Sequence, residues 1–131
     1  WTLSRGLGDV YKRQENQYKS EILQTPGQLQ SKKILEEYIN IFKNYSDKCL
    51  PLPPESTYKY VEAKMQLKNE KKAFSDKWIG NKTFTKGERD NSVIQMCFGN
   101  KKEGDFFFGN DKFHDLSLRL YGPLFEALKN K

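Results

Sequence analysis

Apolar residues recur at intervals of three and four along much of this chain, and proline, glycine or asparagine punctuates the runs. Leu29, Ile34, Leu35, Tyr38, Ile39, Phe42 and Tyr45 lay one wide apolar stripe on a helix whose other face is Lys, Glu and Asn. Its start is marked by "TPGQ", Thr25 to Gln28, which fits a threonine cap, a proline at the first helical position and a glutamine reaching back. "CLPLPPES", Cys49 to Ser56, stops it. Its three prolines cannot continue a helix and each biases its predecessor toward extended geometry, so Leu50 to Leu52 is expected to cross a surface as a stiff strap.

Ser56 or Thr57 is then placed to cap a second helix. Tyr58, Val61 and Met65 give one apolar stripe and Ala73, Phe74 and Trp78 another. "KNEKK" at Lys68 to Lys72 interrupts them, so two short helices and one long bent helix are both allowed, ending at Gly80. Beyond that, "KGERDN" (Lys86 to Asn91) reads as a turn, and "SVIQMCF" as a buried strand or one face of a helix. "GDFFFGND" sets an aromatic cluster between glycines. Phe113, Leu116, Leu120, Tyr121, Leu124 and Leu128 then mark a closing helix capped by Asn110 or Asp111, with Pro123 predicting a kink near Gly122. The fold class expected is mainly α with short irregular or strand segments.

Composition narrows what such a chain can do. At 131 residues it is one domain's worth, able to bury roughly two-thirds of its unfolded surface. Charged residues make up 31% and aromatics 14%, which suits a folded chain with thick polar faces. The net charge of +6 admits a nucleic-acid partner, but Lys and Arg are interleaved with Glu and Asp instead of forming a block, so solvated helix faces explain it as well. Cys49 and Cys97 are far apart in sequence with no CxxC, and His114 is the sole histidine, so neither a zinc site nor a thioredoxin-like motif is assembled. A reducing, cytoplasmic compartment is the simplest expectation: no apolar run is long enough to span a bilayer and no secretory h-region is found.

Four motifs raise the question of chemistry. Glu62-x-Lys64 matches half of a metal-dependent nuclease signature, but that chemistry needs a further carboxylate and strand alternation, whereas the surrounding pattern is helical. His114 and Asp115 are adjacent on a helix, where neighbours diverge, and no nucleophile elbow accompanies them. Phe106 to Phe108 suit packing better than base stacking, since no RNA-recognition motif surrounds them. Trp78, ending an amphipathic helix, reads as a core or interface anchor. The residues alone therefore describe a basic, mostly helical interaction module.

Two resemblances add to this. "SRGLGDVYKRQ", Ser4 to Gln14, is similar to the in-frame translation of a transposon-end adapter used in preparing DNA for sequencing. That likeness sets residues 1–14 apart as adapter-derived and unstructured. They carry three basic residues and one acidic residue, so the remainder has a net charge of +4.

The remainder, residues 15–131, resembles the C-terminal domain of the RecC family, the gamma subunits of exodeoxyribonuclease V. The carrying pieces run in order: "KKILEEYINIFKNY", "LPLPPES" (Leu50 to Ser56), "AFSDKW" (Ala73 to Trp78), "KGERDN" and "LSLRLYGPLFEAL" (Leu116 to Leu128). They span about Gln28 to Lys131, and residues 15–27 carry no match. The resemblance implies the helical tail of a degenerate restriction-endonuclease-like (PD-(D/E)xK-like) α/β domain that has lost its metal ligands. It implies a non-catalytic scaffold and docking segment of a bacterial RecBCD-type helicase-nuclease, acting on double-stranded DNA ends in recombinational repair. RecB-like and RecD-like subunits would be its partners and would use the ATP and magnesium, leaving no cofactor for this chain. The candidates for internal packing or subunit docking are Leu50, Pro51, Leu52, Pro53, Pro54, Trp78, Tyr121, Gly122, Pro123 and Leu124. A free-standing basic helical DNA-binding or adaptor protein is the alternative.

Overall fold

The computed structural model describes residues 25–81 and 83–129, so the adapter-like segment and residues 15–24 lie outside the described residues. Among the described residues six α-helices run in the order α1 (Gln28–Asn44), α2 (Pro54–Met65), α3 (Glu70–Ile79), α4 (Ser92–Phe98), α5 (Asp105–Phe108) and α6 (Asp111–Lys129). Between α3 and α4 lie a two-stranded antiparallel ladder, β1 (Gly80–Asn81) with β2 (Thr85–Lys86), and a 3-10 turn at Glu88–Asp90. The fold is mainly helical, as the periodicity requires.

Local chemistry explains most boundaries and corrects three of them. The cap of α1 is Gly27, not Thr25, and no side chain caps it, so the "TPGQ" capping box does not form. Pro54 is the first residue of α2, which puts Ser56 and Thr57 inside its first turn and buries both, so neither caps it. "KGERDN" is more than a turn: Lys86 closes the ladder and Glu88–Asp90 coils into the 3-10 segment. The ambiguous "SVIQMCF" is a helix, because the Asn91 side chain accepts the Val93 N–H at 2.9 Å. α6 is continuous from Asp111 to Lys129 with Pro123 inside it, as the closing apolar stripe predicts.

α2 and α3 are separate helices joined by a Schellman turn. The Lys68 N–H donates to the Ala63 carbonyl at 2.8 Å and the Leu67 N–H to the Lys64 carbonyl at 3.1 Å. Leu67 holds the position that usually belongs to glycine, at φ 57° and 95% exposed. The Asn69 side chain then caps α3 by accepting the Lys72 N–H at 3.1 Å. At the far end Gly80, at φ 73°, turns the chain so tightly that a Cβ there would lie 2.3 Å from the Gly87 nitrogen.

The core is aromatic. Phe74 and Trp78 of α3 meet Phe107 of α5 and Phe113 of α6, all four essentially inaccessible to water. Phe74 and Trp78 stack at 6.1 Å between centroids, and the other pairs meet edge-on or tilted, with Trp78 to Phe107 at 5.0 Å and Phe74 to Phe113 at 5.5 Å. Burying each such ring contributes about 1.5–3 kcal/mol, and each pair about 0.5–1.5 kcal/mol more. The buried Trp78 indole donates to the Lys101 carbonyl at 3.1 Å. Val61 and Tyr60 of α2, Leu116 of α6, Leu52 of the strap, Ile94 of α4 and Ile41 of α1 complete the cluster.

Candidate docking surface

α1 stands out as the helix least absorbed into this core. At roughly 100° of rotation per residue, its apolar stripe divides into two adjoining arcs of about 60° each. Ile34, Tyr38, Ile41 and Tyr45 occupy one arc and are buried or half-buried. Leu35, Ile39 and Phe42 occupy the other and are 60%, 50% and 74% exposed. The sequence pattern is thus that of a helix covered on a wide front, while the described residues cover only half of it.

Polar contacts fix α1 against α6. The Arg119 guanidinium donates through Nε to the Glu37 carboxylate at 2.8 Å and pairs with Asp115 at 3.5 Å. Hydrogen bonding to Glu37 holds the Arg119 pKa above its ordinary value. The Tyr38 hydroxyl donates to the Leu120 carbonyl at 2.9 Å, in the turn of α6 that precedes Pro123. Below this clamp the two helices splay around a groove of 730 Å³ lined by Pro26, Lys33, Ile34, Leu118, Gly122 and Pro123.

The sequence-derived candidates are mostly drawn inward. Trp78 is fully buried, Leu52 and Pro53 are buried, and Leu50 packs beside the core. Pro51 is half-buried and Pro54 exposed. Tyr121 is half-buried and donates from its hydroxyl to the Pro54 carbonyl at 3.1 Å, which joins the strap to the closing helix. Gly122 is buried and Leu124 half-buried, whereas Pro123 faces the groove. The structure therefore brings the strap and Tyr121 together, and separates both from the exposed arc of α1.

One residue that carries much of this geometry has no signature in sequence. Glu88 is nearly buried, and its carboxylate accepts the Glu55 N–H at 2.9 Å and the Ser56 N–H at 2.7 Å. It caps α2 from a position 33 residues away, supplying the acceptor that Pro53 lacks and facing the positive end of the helix dipole. The signal was hidden because a cap is ordinarily sought at the helix's own N-terminus.

Groups with catalytic potential are occupied structurally. Glu62 and Lys64 lie on α2, with Glu62 paired to Lys59 at 2.8 Å. The His114 Nδ1 hydrogen-bonds the Tyr60 hydroxyl at 3.0 Å, while Asp115 turns to Arg119. Phe107 is core and Phe106 is half exposed. Among the described residues no cluster of three or more His, Cys, Asp or Glu is arranged to hold a metal ion, and no helix is long and apolar enough to cross a membrane. Comparison of the chain with protein-family models, curated proteins and solved structures finds no match.

Proposed function

We infer that this chain is a scaffold and docking segment, and that it serves a RecBCD-type helicase-nuclease working on double-stranded DNA ends. The observation that carries the docking part is the uncovered apolar arc of α1, Leu35, Ile39 and Phe42, beside an arc of the same helix already packed. An exposed apolar stripe on a helix of this length is suited to burial against another protein surface. The assignment to the RecC-like gamma subunit rests on the ordered sequence resemblance from Gln28 to the closing helix. On this reading the helices are the tail of a degenerate restriction-endonuclease-like domain, the location is cytoplasmic, and the RecB-like and RecD-like partners supply ATP hydrolysis, magnesium and bond cleavage.

Co-purification tests it. The chain is expected to be retained by RecB-like and RecD-like subunits and to show no magnesium-dependent cleavage of linear DNA in isolation. Cleavage that is lost on Glu62→Ala would replace the reading with a small nuclease. A salt-sensitive shift of duplex DNA by the isolated chain, with no retention by those subunits, would replace it with a free-standing DNA-binding protein.

A further inference from the structure

Beside its uncovered apolar arc, α1 carries a row of charges. On the side of the arc away from the packed residues lie Lys32, Lys43 and Glu36, about 20°, 40° and 60° further round the helix than Ile39. All three are exposed, as is Asp47 in the turn that follows α1. Among the described residues none of these four takes part in an ion pair. The other charges of α1 point elsewhere: Glu37 is held by Arg119, and Lys33 lines the groove. Around the helix the sectors thus run packed, apolar and charged, and the last two are open to solvent.

The order of signs along this row is self-complementary. Glu36 and Lys43 are equidistant in sequence from a point between Ile39 and Asn40, and Lys32 and Asp47 from the same point. A second copy of α1 laid antiparallel about a two-fold axis at that level sets Glu36 of each chain against Lys43 of the other, and Lys32 toward Asp47. Antiparallel helices bring the same margin of each into contact, so these pairs form together with the apolar ones. Ile39 meets its twin near the axis, with Leu35 and Phe42 on either side of it. A parallel pair would instead set Glu36 against Glu36 and Lys43 against Lys43, and the repulsion selects against it.

We propose that this face of α1 is an isologous interface through which two copies of the chain associate as an antiparallel two-fold pair. Each copy contributes three apolar side chains and one charged margin, so the association is weak, with a Kd on the order of 10–100 μM. The consequence for docking rests on the role proposed above for the same arc. Pairing covers Leu35, Ile39 and Phe42, so a larger partner has to displace the second copy before it can take their place.

Sedimentation velocity of the full 131-residue chain over a range of concentrations, with no other subunit present, tests the pairing separately from docking. The expected result is a reversible monomer–dimer equilibrium. Glu36→Lys and Lys43→Glu should each weaken association at least about ten-fold, because the two-fold counts every reversal twice. The double variant carrying both changes should return to within about three-fold of the wild-type Kd. These residues are seven positions apart on one helix, too far to contact each other within a chain, so the rescue reports contact between chains. Far-ultraviolet circular dichroism confirms that each variant keeps its helices. A chain that stays monomeric up to about 1 mM, a dimer indifferent to both reversals, or single variants that the double change does not rescue would each overturn the proposal. A chain that pairs as described but is not retained by RecB-like and RecD-like subunits would support the interface and remove the docking role.

Discussion

Glu88 shows how much of this fold hangs on single side chains. Its carboxylate satisfies two backbone donors at the start of α2, and no nearby side chain takes over when it is removed. Glu88→Ala is expected to cost about 2 kcal/mol, the scale of losing charge-assisted hydrogen bonds at a cap, visible as a lowered denaturation midpoint with an unchanged slope. Leu67 predicts the opposite sign. It sits at φ 57° with its side chain almost wholly in water, so Leu67→Gly relieves left-handed strain without losing burial, and should raise stability by about 0.5–1 kcal/mol in the same assay. Tyrosines set an alkaline limit. Burial holds the Tyr38, Tyr60 and Tyr121 hydroxyls above the ordinary phenol range, with the charges of Glu70 and Glu88 adding at the last two. The fold thereby favours neutral phenols, a contribution complete below about pH 10 and lost as pH rises through the elevated values. A melting temperature that begins to fall above about pH 10, in step with tyrosinate absorbance, is the expected result.

The helices differ in how firmly they are held, and this sets where motion is expected. α2, α3 and α6 share the aromatic core, while α1 contributes one buried side chain, Ile41, and leans on the Glu37 to Arg119 clamp and the Tyr38 hydroxyl. Backbone amides of α1 should exchange with solvent well before those of α2 and α3, and Arg119→Ala should widen that gap by several-fold while leaving the core amides unchanged. How legible these elements were depends on the kind of interaction that makes them. α1, α2, α3 and α6 were readable because their apolar spacing and breakers are local, and the Asn110 cap is seen again in its hydrogen bond to the Lys112 N–H at 3.0 Å. Glu88 and the clamp join residues tens of positions apart, so periodicity carries no trace of them. "SVIQMCF" resisted because a seven-residue run is too short for period alone to decide, and its cap settles it. The α1 stripe was visible in the sequence, but the docking candidates read from it lay in the strap, Trp78 and Tyr121 to Leu124, and nothing local shows which arc of α1 stays uncovered.

Taken as a whole molecule, the chain combines a dense aromatic centre with an incompletely covered flank. A body this small buries its rings between α3, α5 and α6 and leaves Leu35, Ile39 and Phe42 in water on α1. The Glu62–Lys59 pair, the Tyr60–His114 hydrogen bond and the Asp115–Arg119 pair place the polar groups of the nuclease-like and triad-like motifs in structural contacts. Binding through the open arc of α1 is what the proposed role requires of this chain. The decisive experiment is retention by immobilised RecB-like and RecD-like subunits of the wild-type chain and of a Leu35→Asp, Phe42→Asp variant, with far-ultraviolet circular dichroism as the control for folding. Because both side chains are exposed, the variant should keep its helical spectrum and lose at least about ten-fold in retention, the effect of removing two apolar anchors. Equal retention of the two chains, or failure of the wild-type chain to be retained at all, would contradict the docking role.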